Sequence, residues 1–389
     1  MNIGILSSTY LPTVGGIQFL LYWLLKAMDR SSLRRTVGEI YAIVPASISD
    51  QEYADFENIK VIEYHRSLWS IKGMLAFIPQ LAAIGKDRSL DLLHAFTTLP
   101  EGVCCLGTRF MTGIPYLVTC HGEDIAMDPR FGYGNRLKKT IAGLTRAALK
   151  GSAGITTIST DMARFAKNAG APPTRIHIIP NGIELNGSVA DAEVGGLVQE
   201  LRWQYGITET HTVYLTLAGM RKIKGHEPLV RSFAAALQVN PNLLLFIGAH
   251  GLETEPIKKL VRALHIEDKV HFIGFVTGVE KKAWFNLADV YCNTAFFEPF
   301  GLVYLEAILY RDAVLGSIFG GGKDIFRHQE NAWLVNPEND EEIVQGLLTL
   351  AEPAYRLKLV EAAQPLLPHY DINAIAGQYL ELYRNIISK

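Results

Sequence analysis

The stretch "TAFFEPFGLVYLEA", residues 294–307, sets two glutamates, Glu298 and Glu306, eight positions apart across a Phe-Gly turn in an otherwise apolar run. The surrounding pattern predicts a strand over 290–294, a loop through Pro299 and Gly301, and a helix from about residue 301 to 310. Glu298 then sits in the loop at the strand's end, and Glu306 roughly one and a half turns into the helix. A carboxylate among apolar neighbours is costly unless donors reach it, and sugar hydroxyls are suitable donors. Between the two glutamates, the N–H groups of Phe300, Gly301 and Leu302 form a helix start suited to phosphate or hydroxyl oxygens. A polyol next to a phosphate satisfies every part of this arrangement.

Two further stretches carry chemistry. After a strand expected at 213–218, "LTLAGMRKIKGHEP" brings Gly219, Arg221, Lys222, Lys224 and Gly225 ahead of a helix. That places three cations at the carboxyl end of a strand, where ligands bind in open α/β sheets. Taken alone, such a cluster reads first as solvated surface charge, since most surface Lys and Arg do nothing specific. In "SSTYLPTVGGIQFLLYWLLKAM", Gly15 and Gly16 precede an amphipathic helix, so backbone N–H groups can approach an anion there. The spacing is not G-x-G-x-x-G, and a plain connection fits as well. The four cysteines form no C-x-x-C pair and no Cys/His cluster at zinc spacing, and no D-x-D triplet occurs. No metal site and no cofactor are expected, and a reducing, cytoplasmic setting fits. Paired glutamates also invite a glycosidase reading, but those carboxylates converge from separate elements, whereas here an anion-binding helix start lies between them.

Thirteen short β-branched and apolar runs alternate with helix-period segments along 389 residues. That is the α/β pattern of parallel sheets covered by helices on both faces. Seven strands are expected before "PNGIELNGSVADAEVGG" and six after it, giving two doubly wound, Rossmann-like domains with a linker at about 182–197. Lys plus Arg (37) nearly balances Asp plus Glu (39), so the electrostatic footprint of a nucleic-acid binder is missing. The amino-terminal segment has no basic n-region, and "IQFLLYWLL" is far short of a spanning helix. A soluble protein is expected, with peripheral contact at the inner face of a membrane left open.

These residues also carry a family resemblance. "EPFGLVYLE" resembles the Glu-x7-Glu signature of retaining glycosyltransferases of family 4, and "GGGKD" at 320–324 their following glycine turn. "STYLPTVGG" is similar to the family's acceptor-side loop, "TCHGED" to its His-containing turn, "IIPNGIEL" to its interdomain junction and "AGMRKIKGH" to its basic Lys-Gly loop. The resemblance covers most of the chain. It implies the GT-B architecture, two Rossmann-like domains facing across a cleft. An acceptor-side domain would span 1–185, with the helix 371–389 returning to pack on it, and a nucleotide-sugar donor domain would span 198–370.

By the same resemblance, Glu306 would hold the ribose hydroxyls of a nucleotide and Glu298 the donor-sugar hydroxyls near the reaction centre. Phe300, Gly301 and Leu302 would hold sugar and phosphate through their amides, and His121 would approach the donor sugar. Arg221 and Lys224 would neutralise the diphosphate. The loop "GMRKIKG" is shorter than the family's usual form, so Lys222 stands as an alternative to Arg221, and Asp324 replaces a commoner Glu. The activity implied is transfer of a sugar from a nucleotide-diphosphate donor to a glycan, lipid-linked or small-molecule hydroxyl, with retention and without a metal. A nucleotide-sugar epimerase of the same fold and a catalytically silent nucleotide-sugar-binding subunit are the alternatives.

Overall fold

The computed structural model describes residues 1–10, 16–30, 38–46, 56–185 and 192–388. The chain divides into two compact units, Met1–Glu184 with Tyr370–Lys389, and Leu185–His369.

The first unit is built on seven parallel strands: β1 (Ile3–Leu6), β2 (Ile40–Pro45), β3 (Ile59–Tyr64), β4 (Leu92–Ala95), β5 (Tyr116–Cys120), β6 (Gly154–Thr157) and β7 (Ile176–Ile178). The second has six: β8 (Thr212–Leu217), β9 (Leu243–Gly248), β10 (Val270–Phe272), β11 (Val290–Cys292), β12 (Ala313–Ser317) and β13 (Trp333–Val335). The sheet orders are β3-β2-β1-β4-β5-β6-β7 and β10-β9-β8-β11-β12-β13. All pairs are parallel, and Ile3 stands opposite both Ile40 and Leu92. Every residue of β8 and β9 is buried, as expected of strands covered by helices on both faces. The α/β, doubly wound expectation and its count of seven and six strands hold.

Each sheet reverses its winding once, between β1 and β4 and between β8 and β11. At such a switch point the connections leave the strands' carboxyl ends in opposite directions, which opens a crevice where ligands bind. The basic loop leaves β8 and the glutamate loop leaves β11, so two sequence motifs more than 70 residues apart meet at one switch point.

The expected linker needs correction. Residues 192–197 open the Ala192–Gln204 helix, and 186–191 lie outside the described residues. Gly195 and Gly196 make this segment read as a connection, but Val194 and Leu201, seven apart on one helix face, are buried and hold it as helix.

The Ile372–Ile387 helix belongs to the first unit. Its Asp371 cap accepts from Asn373 N, and Ile183 N donates to Tyr370 O at 2.9 Å while Ile372 N donates to Ile183 O at 2.9 Å. Further along, the Tyr383 hydroxyl meets His94 Nδ1 at 2.7 Å, and His94 Nε2 meets Thr119 Oγ1 at 2.7 Å. Thr119 continues to Thr156 at 2.6 Å, so one buried polar chain ties the helix to β4, β5 and β6. Burial, with a smaller push from His121, pulls the His94 pKa down to about 3, and the ring is neutral.

Candidate functional site

In the second unit the chain leaves β8 and makes a single tight turn, Lys222–Lys224, ending at Gly225 with φ +69°. A Cβ on Gly225 would lie 1.9 Å from the Thr294 carbonyl oxygen, so only glycine lets the two loops touch. Thr294 Oγ1 donates to Gly225 O at 2.8 Å, and Phe296 N donates to Ile223 O at 2.8 Å. These bonds join the basic turn to the β11 exit. Lys224 Nζ then donates to Glu298 Oε2 at 2.8 Å, and Asn293 Nδ2 donates to the same oxygen at 3.2 Å. Glu298 Oε1 has no hydrogen-bond partner among the described residues and is the acceptor left for a ligand.

The glycine turn supports Glu298 from behind. Gly320 bridges Glu298, and Gly321 N donates to Glu298 O at 2.8 Å. A Cβ on Gly320 would fall 1.9 Å from Glu298 O, and one on Gly321 2.5 Å from Phe300 Cα. Backbone therefore packs on backbone, and side chains would push the glutamate loop away. The chain next turns at Gly301, φ +88°, into the Leu302–Tyr310 helix, whose first turn carries no acidic residue to offset its positive end.

Glu306 is in the second turn of that helix and mostly buried. Both of its oxygens accept from Lys281 Nζ, at 2.6 and 2.7 Å. Lys281 comes from the Gly278–Leu287 helix. Its ammonium lies 5.9 Å from the Phe285 ring centroid, and Phe285 stacks on Tyr310 at 5.3 Å and 7°. Burial first and the Glu306 charge second push the Tyr310 pKa up to about 12.

In the first unit, His121 sits in the turn after β5, buried, with its ring 4.8 Å from that of Phe96. Neither ring nitrogen meets hydrogen-bond geometry with another described residue. Burial draws its pKa down to about 4, opposed in part by the Phe96 backbone, so the imidazole is neutral near pH 7. Asp124 closes the turn: Oδ1 accepts from Gly122 N at 2.8 Å and His121 N at 3.2 Å, and Oδ2 accepts from Thr98 Oγ1 at 3.2 Å. Its pKa is raised by burial against those bonds. Buried Glu101 accepts from Ser8 N at 2.5 Å and from the Thr97 hydroxyl, joining the exits of β1 and β4.

The structure brings together Lys224, Glu298, Phe300, Gly301, Leu302 and Glu306 around one strand exit and the helix that follows it. Arg221 and Lys222 are exposed on the same turn. Gly16 opens the Gly16–Arg30 helix, and Gly15 lies outside the described residues. Three partners were not read from sequence: Lys281, Asn293 and Asp124. Asp124 lies inside "TCHGED" and Asn293 directly precedes "TAFFEPFGLVYLEA", and a polar residue at a strand exit was the available signal for each. Lys281 had none, being one of two adjacent lysines on a helix. Among the described residues no group of three or more His, Cys, Asp or Glu could hold a metal, and no helix is long and apolar enough to cross a membrane.

Two family models match the chain, Glycosyltransferase Family 4 over residues 14–186 and Glycosyl transferases group 1 over residues 198–364. The α-monoglucosyldiacylglycerol synthase of Acholeplasma laidlawii is 24% identical, with 100% of this chain and 98% of that one covered. The N-acetyl-α-D-glucosaminyl L-malate synthase of Bacillus anthracis is 24% identical over 80% of this chain and 79% of that one. Among solved structures, sucrose-phosphate synthase from Thermosynechococcus elongatus matches with a TM-score of 0.80 at 18% identity, covering 100% of this chain and 99% of that one. Anabaena HepE in complex with UDP and glucose matches at 0.78 and 19%, covering 99% and 100%. These two likenesses bear on the fold.

Proposed function

Given that the chain belongs to glycosyltransferase family 4 and has the GT-B fold, we propose that it moves a sugar from a nucleotide-diphosphate donor to a hydroxyl acceptor, with retention and without a metal. That it is a glycosyltransferase follows from the family; donor, stereochemistry and metal independence are our reading. One observation carries it: the basic turn, the Glu298 loop and an uncompensated helix start converge at the β8/β11 switch point.

In this reading the amides of Phe300, Gly301 and Leu302 meet sugar hydroxyls and diphosphate. Glu306 accepts from the ribose hydroxyls, and Glu298 accepts a donor-sugar hydroxyl through Oε1. Lys224, with Arg221 or Lys222, offsets the charge that grows on the departing diphosphate, work that fixed cations and helix dipoles do without a metal. His121, neutral and beside the Phe96 backbone, offers a ring nitrogen to a sugar hydroxyl. Gly15 and Gly16 are assigned to the acceptor side. Anabaena HepE, solved with UDP and with UDP-glucose, supports a nucleoside diphosphate leaving group.

Membrane contact belongs to the same proposal. Trp69, Ile71 and Leu75 are 65%, 59% and 62% exposed at the start of the Ile71–Asp87 helix. His65, Arg66 and Lys72 are exposed in the same segment, with no Asp or Glu between Glu63 and Asp87. A relative named for a diacylglycerol product fits a lipid-linked acceptor. A cytoplasmic setting is supported by four free, buried cysteines.

A thermal-shift panel of UDP, GDP, ADP and their sugars tests the donor, since a ligand of the native state raises its melting temperature. Sugar transfer to an added acceptor, with the anomeric configuration kept by NMR and turnover intact in EDTA, is expected. An altered free sugar released without any acceptor would favour the epimerase instead. Nucleotide binding with no turnover on any acceptor would favour the silent subunit.

A further inference from the structure

Glu306 does not wait for a ligand alone. The Lys281 ammonium donates to both carboxylate oxygens, at 2.6 and 2.7 Å, from a different helix. The lysine is itself placed by the Phe285 ring, which stacks on Tyr310, four residues beyond Glu306 on Glu306's own helix. The ammonium of Lys282, the next residue, makes no ion pair or hydrogen bond among the described residues, so the packing of the two helices selects one lysine of the pair.

We propose that Lys281 is a positioning residue for donor recognition: it fixes the plane of the Glu306 carboxylate so that both oxygens face the vicinal hydroxyls of the nucleotide ribose. This rests on the reading of Glu306 as the ribose acceptor. An ionised carboxylate has about four lone-pair sites, two on each oxygen. Lys281 occupies one on each, which leaves one on each oxygen for a ligand. A 1,2-diol with two parallel O–H donors matches that pair, and a ribose lacking both hydroxyls does not. The ammonium also neutralises a mostly buried charge, so Glu306 keeps its acceptor character without an unpaired burial penalty. A carboxylate free to rotate would present its two acceptors in the diol's geometry only part of the time, and affinity falls with the competent fraction.

The test uses the full chain and whichever of UDP, GDP or ADP gives the largest thermal shift, compared with its 2′,3′-dideoxy analogue by calorimetry. In Lys281→Met the ribonucleotide should bind about tenfold more weakly, the scale of a lost charge-assisted contact. The dideoxy analogue should change little, so the ribose preference collapses. Donor KM should rise by a similar factor with kcat nearly unchanged, and Lys281→Arg should restore most of both. Lys281→Gln, which keeps one donor, serves if the methionine variant does not fold, and should fall between the two. An unchanged ribose preference in folded Lys281→Met or Lys281→Gln overturns the proposal. Tighter binding does so as well, because the lysine would then be competing with the ribose. Glu306→Gln separates this from its premise: if Glu306→Gln keeps the ribose preference, the ribose reading of Glu306 is wrong. If Glu306→Gln loses the preference while Lys281→Met keeps it, only the positioning role fails.

Discussion

At the scale of single residues, Lys224 is where charge and geometry meet. Its ammonium donates to Glu298 Oε2 at 2.8 Å, so the cation is held at the strand exit by a carboxylate that is itself a sugar contact in the proposed function. Negative charge grows on a diphosphate as the glycosidic bond breaks, so a nearby cation matters more in the transition state than in the bound donor. Lys224→Ala is expected to lower kcat/KM by at least about 100-fold, roughly 2.7 kcal/mol, with a smaller loss of nucleotide affinity. Since the two side chains share a bond, Lys224→Ala and Glu298→Ala should combine to less than the sum of their separate losses. A folded Lys224→Ala protein with near wild-type turnover would remove the basic turn from the site. Lys224, Glu298 and Glu306 were visible in the sequence because motif spacing marks them. Lys281 was not, because its partner lies 25 positions away and only the packing of two helices decides which of two neighbouring lysines faces it.

At the scale of elements, most of the thirteen strands were legible because buried parallel strands are short apolar runs, and the largely exposed edge strands β3 and β7 still carry β-branched Ile and Val. The Ala192–Gln204 helix was not, since two glycines and flanking polar residues resemble a connection until Val194 and Leu201 are seen to be buried. Glycine spacing marked the 320–324 turn, but its purpose emerges only from the packing: Gly320, at φ +94°, lies flat on the Glu298 backbone. Gly320→Ala must adopt a left-handed backbone, costing about 1–2 kcal/mol, and also clear a carbonyl oxygen 1.9 Å from the new Cβ. The loop carrying Glu298 has to move away. We expect a total loss of about 2–4 kcal/mol in urea denaturation and a fall in turnover larger than the fall in folded protein. Gly113→Ala, at φ +80° with open space around its Cβ, isolates the backbone cost. Equal stability losses for the two variants would show that the close approach of the two loops carries no extra energy.

At the scale of the whole molecule, a formal net charge of −2 gives no general attraction to an anionic bilayer, so any membrane contact must be local. Inserting Trp69, Ile71 and Leu75 would contribute about 2 kcal/mol per side chain, and the surrounding cations would add salt-sensitive attraction. Vesicles containing phosphatidylglycerol should sediment the wild type and not the variant with all three changed to Ser; equal sedimentation of both would exclude this face. Charge inside the molecule sets a second global property. His94, His121 and His226 are buried, with pKa values pulled down to about 3, 4 and 4; for His226 burial is the main cause and Lys224 the second. Unfolded histidine binds its proton near pH 6.5, so between that pH and the folded values the unfolded chain holds more protons. Stability is therefore intact above about pH 6.5 and falls as pH drops toward 4, by about 1.4 kcal/mol per unit for each histidine. Glu101 and Asp124 act with the opposite sign, because burial raises their pKa values and their cost appears as pH rises. Total stability mixes the two, and a single substitution separates them. His94→Gln removes one histidine from the buried chain that ties the carboxyl-terminal helix to the sheet, so it should destabilise at pH 7. It also removes one acid liability, so the gap to wild type should shrink by about 2 kcal/mol between pH 7 and pH 5. Urea denaturation at the two pH values measures this; a gap of constant size would mean that His94 titrates alike in the folded and unfolded chain, and a gap that widens at pH 5 would mean that it is protonated in the folded protein.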